Sequence, residues 1–332
     1  MNKGKLAIAI SSLMLIVAST LLGILFLTHK SKEAKVVTTI YPIYDIVRNI
    51  MGSDDDVVML LDGGADMHGY QPSFQEITTL SKSELFIYIG GESDDMWVGY
   101  AISSADNVNL DTLSLMEVVN KLEENNDNVI QDDEHHHEDE EHNHEDEEHN
   151  HNDEEIVYDE HIWLSIKNMV KMVSAIAEKL KIVFPTKIGL IEENSNNYIV
   201  ELQELDKEYM DTIGNAEKTM VIADKFPFLY LVNDYNLKYR ALFSTCSSEN
   251  TASFESKTAI IESIKEFNSN YVILLENSSN LSTAKSIIAD CNKNIEIVYV
   301  NQCSFVPKNK LESISYIDLM KKNLEVFKKV LK

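Results

Sequence analysis

Residues 132–160 read DDEHHHEDEEHNHEDEEHNHNDEEIVYDE: sixteen carboxylates, seven histidines and no Lys or Arg. Such a run has too little apolar surface to offset the entropy of ordering, so a solvated, mobile loop is expected. It therefore splits the foldable chain into residues 35–131 before it and 161–332 after it. The loop histidines are His135, His136, His137, His142, His144, His149 and His151, seven of the ten in the chain. Neutral imidazole is the commonest metal ligand, and carboxylates nearby raise the local cation concentration. The plainer alternative is an acidic spacer with incidental histidines. So tight a clustering argues instead for weak metal capture.

On either side the hydrophobic pattern alternates between strand and helix. Lys35–Ile40, Val57–Leu61 and Leu85–Ile89 are short, apolar and rich in β-branched residues, which predicts strands. Tyr41–Met51 carries apolar residues at helical spacing, and Ser73 followed by Glu76 is a capping box. After the loop, helical periodicity runs over Ile162–Leu180. From Pro185-Thr186 a second helix continues to about Ile213, a rod near 40 Å long at 1.5 Å per residue. Strands are then predicted at Met220–Ala223, Tyr239–Phe243, Tyr271–Leu275 and Ile295–Val300, with helices between them and a last helix at Ile314–Leu331. Alternation of this kind predicts two α/β lobes with mostly parallel sheets, joined by one long helix, with a cleft between them. The expected divisions are 1–34 (anchor or signal segment), 35–131 (first lobe), 132–160 (loop), 161–216 (lobe-completing helix and connecting helix) and 217–332 (second lobe).

At the N-terminus two lysines precede an apolar run from Leu6 to Leu27, long enough to cross a bilayer. A small-x-small cleavage pattern appears only weakly, around Ala18–Ser19, and no Cys near its end could accept a lipid. An uncleaved anchor is expected, with the acidic body outside the cytoplasm; cleavage would make the protein secreted. The net charge of −26 repels phosphate backbones and sets nucleic-acid binding aside. Three cysteines permit one disulfide. Cys246 and Cys303 both follow predicted strands and form the candidate pair, with Cys291 left over; three unpaired thiols are the alternative.

Two histidines outside the loop sit where chemistry is expected. His68 lies in GADMHGYQPS, between a predicted strand and a helix, at the sheet edge where open α/β folds bind ligands. His161 lies in DEHIWLS, where the loop ends and apolar structure resumes. Together these segments resemble those of the extracytoplasmic solute-binding proteins of zinc and manganese ABC importers, in the zinc-uptake branch. There a first ligand histidine occupies a G-x-D-x-H-x-Y-x-P-S segment. A His- and acid-rich loop follows, then a second ligand histidine in D-x-H-x-W-L-S, then a long helix. The tail SYIDLMKKNLEVFKKVLK also resembles the family's terminal helix, and the likeness extends from Lys35 to Lys332.

The resemblance implies two lobes, a zinc ion as cargo (with manganese or copper as competitors) and an ABC permease as partner; a monomer held by the N-terminal anchor is expected. It implies His68 and His161 as cleft ligands. The second lobe departs from the family pattern: ADKFPFLY puts Ala223 where relatives carry a third ligand, and VNQCSF has no carboxylate where many carry a fourth. Asp224, beside the lost position, is the first replacement candidate, followed by Glu276 and Glu249. Two rivals remain. One is a surface adhesin or metal buffer with a degenerate cleft. The other is a zinc hydrolase, although no G-x-S-x-G, H-E-x-x-H or phosphate-binding loop supports an enzyme.

Overall fold

The computed structural model describes residues 34–61, 67, 69–124, 128–130, 156–244, 252–311 and 313–332. In the first lobe the elements are β1 (Val36–Thr38), α1 (Tyr41–Met51), β2 (Val57–Met59), α2 (Phe74–Leu80), β3 (Leu85–Tyr88), the single turn α3 (Glu92–Asp95), α4 (Val98–Ala105) and β4 (Asp111–Ser114). Helices α5 (Ile166–Val183) and α6 (Ile188–Ile213) follow. The second lobe holds β5 (Thr219–Lys225), α7 (Leu229–Tyr235), β6 (Lys238–Phe243), α8 (Phe254–Glu266), β7 (Tyr271–Leu275), α9 (Leu281–Asp290), β8 (Glu296–Val300) and α10 (Tyr316–Leu331).

The two sheets are parallel and share one strand order, β2-β1-β3-β4 in the first lobe and β6-β5-β7-β8 in the second. Parallel strands must be covered on both faces, which is why they read as continuous apolar runs. Val36, Val37, Phe86 and Ile87 are fully buried accordingly. One large core joins the inner faces of both sheets through α1, α5, α6, α7 and α10, and a smaller core lies between the second sheet and α8 and α9.

The spine between the lobes is pinned by a buried polar cluster. Asp45 on α1 accepts hydrogen bonds from Tyr41 Oη (3.2 Å), Arg48 Nε (2.8 Å), Tyr198 Oη on α6 (3.0 Å) and the backbone N–H of Tyr316 at the start of α10 (3.1 Å). Arg48 also donates to the carbonyls of Leu311 and Ile314. A buried carboxylate needs this much pairing to stay in place.

The capping box at Ser73 and Glu76 forms as the sequence predicts. The helix expected from Ile162 starts later, because Ile162–Leu164 is a 3-10 turn and the α-helix begins at Ile166 under a Ser165 cap. Residues 128–130, placed by sequence in the first lobe, pair with the second sheet. Ala241 donates to Asn128 O and Ile130 donates to Ala241 O, both at 3.0 Å, and Ile130 packs in the smaller core. The N-terminal apolar run and the seven loop histidines lie outside the described residues. Among the described residues no helix is long and apolar enough to cross a membrane.

Candidate metal site

His161 stands at the start of the 3-10 turn Ile162–Leu164 and is almost wholly buried. Its backbone N–H donates to Asp159 Oδ1 at 2.7 Å, and its ring Nδ1 lies 3.3 Å from the same oxygen. A carboxylate on the Nδ1 side of the ring is the arrangement found behind metal-bound histidines. Asp159 is itself fixed from two sides. Its N–H donates to Leu122 O at 3.0 Å, and its carbonyl accepts from Tyr230 Oη of α7 at 2.8 Å.

Glu160 anchors the same segment to the end of β3. Its Oε1 accepts from Ser93 N at 2.5 Å. It packs so closely over Gly91 that a β-carbon there would come within 2.3 Å of it, which only glycine avoids. Asp94 closes the corner by accepting from Gly90 N at 2.8 Å, and burial pushes its carboxyl up to about 6, with the Glu160 charge adding to the rise. One oxygen on each of Asp159 and Glu160 is buried and has no hydrogen-bond partner among the described residues. Buried carboxylate oxygens in that condition are uncommon in folded proteins.

Trp163 ties this first-lobe segment to the second lobe. Its ring lies 5.0 Å from that of His161, its Nε1 donates to Gln302 O at 2.8 Å, and its carbonyl accepts from Tyr316 Oη at 2.6 Å. Tyr41 N donates to Ser304 O nearby at 3.2 Å, so the C-terminal edges of the two sheets face one another here.

The second-lobe candidates behave differently. Asp224, the first replacement candidate, is enclosed by hydrogen-bond donors of its own lobe. Its Oδ1 accepts from Lys225 N (2.9 Å) and Asn280 Nδ2 (2.8 Å), and its Oδ2 from Leu275 N (2.9 Å). Three internal donors and near-complete burial make it a clamp between β5, β7 and α9. A register slip between Ile222 and Lys225 sits at this point, and such slips redirect side chains. Ala223 is fully buried in the smaller core. Glu276 is exposed and accepts from Asn301 Nδ2 at 2.6 Å, one residue from the Gln302 that meets Trp163. Glu249 and His68 lie outside the described residues, although Met67 beside His68 is buried and Tyr70 packs on Trp97 at 5.0 Å. Among the described residues no three His, Cys, Asp or Glu side chains form a group that could hold a metal.

Cys303 is a free, fully buried thiol that donates to Asn301 O at 3.4 Å and lies 3.8 Å from Met320 Sδ; burial raises its pKa. Its expected partner Cys246 lies outside the described residues. Cys291 is likewise a buried free thiol.

The family model described as zinc-uptake complex component A, periplasmic (ZnuA) matches residues 36–330. The chain belongs to this family. It is 25% identical over 300 residues to the zinc-binding lipoprotein AdcA of Streptococcus pneumoniae, covering 89% of this chain and 55% of that one. It therefore spans about half the length of the AdcA proteins it matches. Against the high-affinity zinc uptake system protein ZnuA of Bacillus subtilis it is 29% identical, covering 90% of this chain and 88% of the relative. The structure of the Zn(II)-bound ZnuA-like domain of S. pneumoniae AdcA superposes with a TM-score of 0.68 at 24% identity, over 89% of this chain and 98% of that domain. A mutant structure of the laminin-binding adhesin Lmb of Streptococcus agalactiae gives 0.71 at 19% identity, over 90% of this chain and all of the adhesin. At these identities the two structures establish the ZnuA-type fold: two α/β lobes and a long helix.

The sequence singled out His161 but not the groups that hold it. Asp159 carried a signal, an acid two residues before the histidine. Glu160 and Tyr230 carried none, because their partners Ser93 and Asp159 are far away in the chain.

Proposed function

We propose that this chain captures zinc outside the cytoplasm and delivers it to the permease of an ABC importer. The supporting observation is His161, buried with Nδ1 against Asp159 in a chain that belongs to the ZnuA family. Zinc wants three or four N, O or S donors at about 2.0–2.3 Å. His161 supplies one and His68 a second. Glu276 is the second-lobe oxygen in this reading, since its exposed carboxylate sits beside the loop that meets Trp163 while Asp224 is spent on the fold. The loop histidines are weak, fast-exchanging ligands that concentrate zinc near the cleft, and the N-terminal apolar run holds the protein at the membrane.

The poverty of second-lobe donors favours one other reading, a surface metal buffer or adhesin whose cleft binds weakly. One zinc titration separates the two. The full chain is expected to bind one ion tightly and several weakly, and a chain lacking residues 132–155 to keep the tight ion alone. No tight ion in the shortened chain leaves the buffer.

A further inference from the structure

The two lobes carry the same exposed aromatic at the same place. In both sheets the second strand, β2 or β6, leads to a helix that returns to the third, α2 or α8. Each of these helices opens on a serine cap followed by phenylalanine: Pro72-Ser73-Phe74-Gln75-Glu76 and Ala252-Ser253-Phe254-Glu255-Ser256. Ser73 Oγ accepts from Glu76 N at 3.3 Å, and Ser253 Oγ accepts from Ser256 N at 2.9 Å. Phe74 is 88% exposed and Phe254 78%, the two most exposed phenylalanines among the described residues. The first position of a capped helix accepts almost any residue, so the fold does not call for phenylalanine there. One exposed apolar side chain needs no explanation. The same one at equivalent positions of two lobes is a pattern.

In a parallel α/β sheet a connecting helix starts at the C-terminal edge of the strand before it, so both rings lie at the C-terminal edges of their sheets. Those edges face one another across the cleft, where Trp163 meets Gln302 and Tyr41 meets Ser304. Helices α2 and α8 lie on the outer faces of their lobes, α2 beside α4 and α8 beside α9. The rings therefore flank the mouth of the cleft from opposite sides. A carboxylate stands close to each ring in the chain, Glu76 two residues after Phe74 and Glu255 directly after Phe254, in a chain of net charge −26.

We propose that Phe74 and Phe254 are paired docking anchors that seat the chain on a membrane permease of two equivalent subunits. One ring enters each subunit, in an apolar pocket rimmed by Lys or Arg. Aromatic anchors in dry pockets, ringed by complementary charge, dominate such contacts. The assignment rests on the importer reading above.

The test uses the full chain in its own cells, with the gene deleted and restored as wild type, Phe74→Ala, Phe254→Ala or the double variant. Initial zinc uptake is measured at limiting zinc, and zinc affinity on the purified proteins. Both single variants should bind zinc as wild type and slow uptake by a similar factor, about threefold or more; the double variant should slow it about tenfold or more. Phe74→Leu, which keeps apolar bulk, should retain most of the rate. Unchanged uptake by the double variant overturns the proposal, and so does a parallel loss of zinc affinity. A wild-type dimer in sedimentation that Phe74→Ala dissolves overturns it too, by making the anchors a self-contact. If wild-type protein binds no zinc, the importer reading falls and this assignment falls with it.

Discussion

The two lobes share a strand order and treat their carboxylates in opposite ways. In the second lobe Asp224 satisfies three internal donors and has become part of the framework. In the first, Asp159 and Glu160 each have one oxygen anchored and one buried without a partner among the described residues, directly before His161. A saturated carboxylate stabilises the fold, whereas a buried oxygen left without a donor is a cost that the fold carries. In the proposed reading the first lobe supplies the metal chemistry, and the second is tied to it through Trp163 and Tyr230.

Two substitutions test that division most sharply. His161→Ala should lower zinc affinity beyond a hundredfold, more than the 10- to 100-fold typical of losing an outer-shell partner. Its fold should be unchanged by circular dichroism. Asp224→Ala should do the reverse. It strands the N–H groups of Leu275 and Lys225 and the amide of Asn280, at a stability cost of about 3 kcal/mol in urea denaturation, and leaves zinc affinity within about threefold. A large affinity loss from Asp224→Ala with normal stability would restore Asp224 as a ligand.

The pH dependence of stability comes next in size. Asp94 rises from its ordinary 3.8 to about 6 through burial. Between those values the native state binds a proton that the unfolded state has released, so this group's stabilisation is full below about pH 4 and lost as pH rises through 6. Two pKa units correspond to about 3 kcal/mol as an upper bound. Burial also raises Asp45 and Asp234, and both push the same way. Metal-free protein should therefore melt at a lower temperature at pH 7 than at pH 5. Asp94→Asn should flatten that slope, and an unchanged slope would mean that Asp94 ionises freely in the native state.

Asp159→Asn keeps the shape behind His161 and removes the charge. A tenfold or greater loss of zinc affinity is expected in calorimetric titration, within the range for carboxylates behind metal-bound histidines. No loss would mean that Asp159 only shapes the turn.

Most of the fold was legible from the sequence because its signals are local. The buried strands read as β-branched runs, the Ser73–Glu76 cap as a box, and the α6 rod as unbroken helical spacing. Strand β4, Asp111–Ser114, escaped because it lies at a sheet edge, where all four of its residues are half-buried and DTLS lacks apolar alternation. The site was legible only in part. His161 announces itself by its neighbours in the chain. The role of Asp224 depends on Leu275 and Asn280, some fifty residues away, and a carboxylate beside a lost ligand position looks the same whether it binds an ion or three N–H groups.

The smallest expected effect tests how far the second lobe supports the first. Trp163→Phe keeps an aromatic ring beside His161 and deletes the indole N–H that reaches Gln302 O, while the backbone carbonyl still accepts from Tyr316. One buried acceptor loses its donor, so stability should fall by about 1 kcal/mol. Zinc affinity should fall only a few-fold, because Asp159 still orients the imidazole from within the first lobe. The two losses can be read on one sample, by urea denaturation without metal and by titration with it. If Trp163→Phe weakens zinc binding more than Asp159→Asn does, His161 takes its position mainly from the second lobe. The division between a lobe that binds and a lobe that supports would then reverse at this residue, with the grip on the ion set by how firmly Gln302 holds the indole.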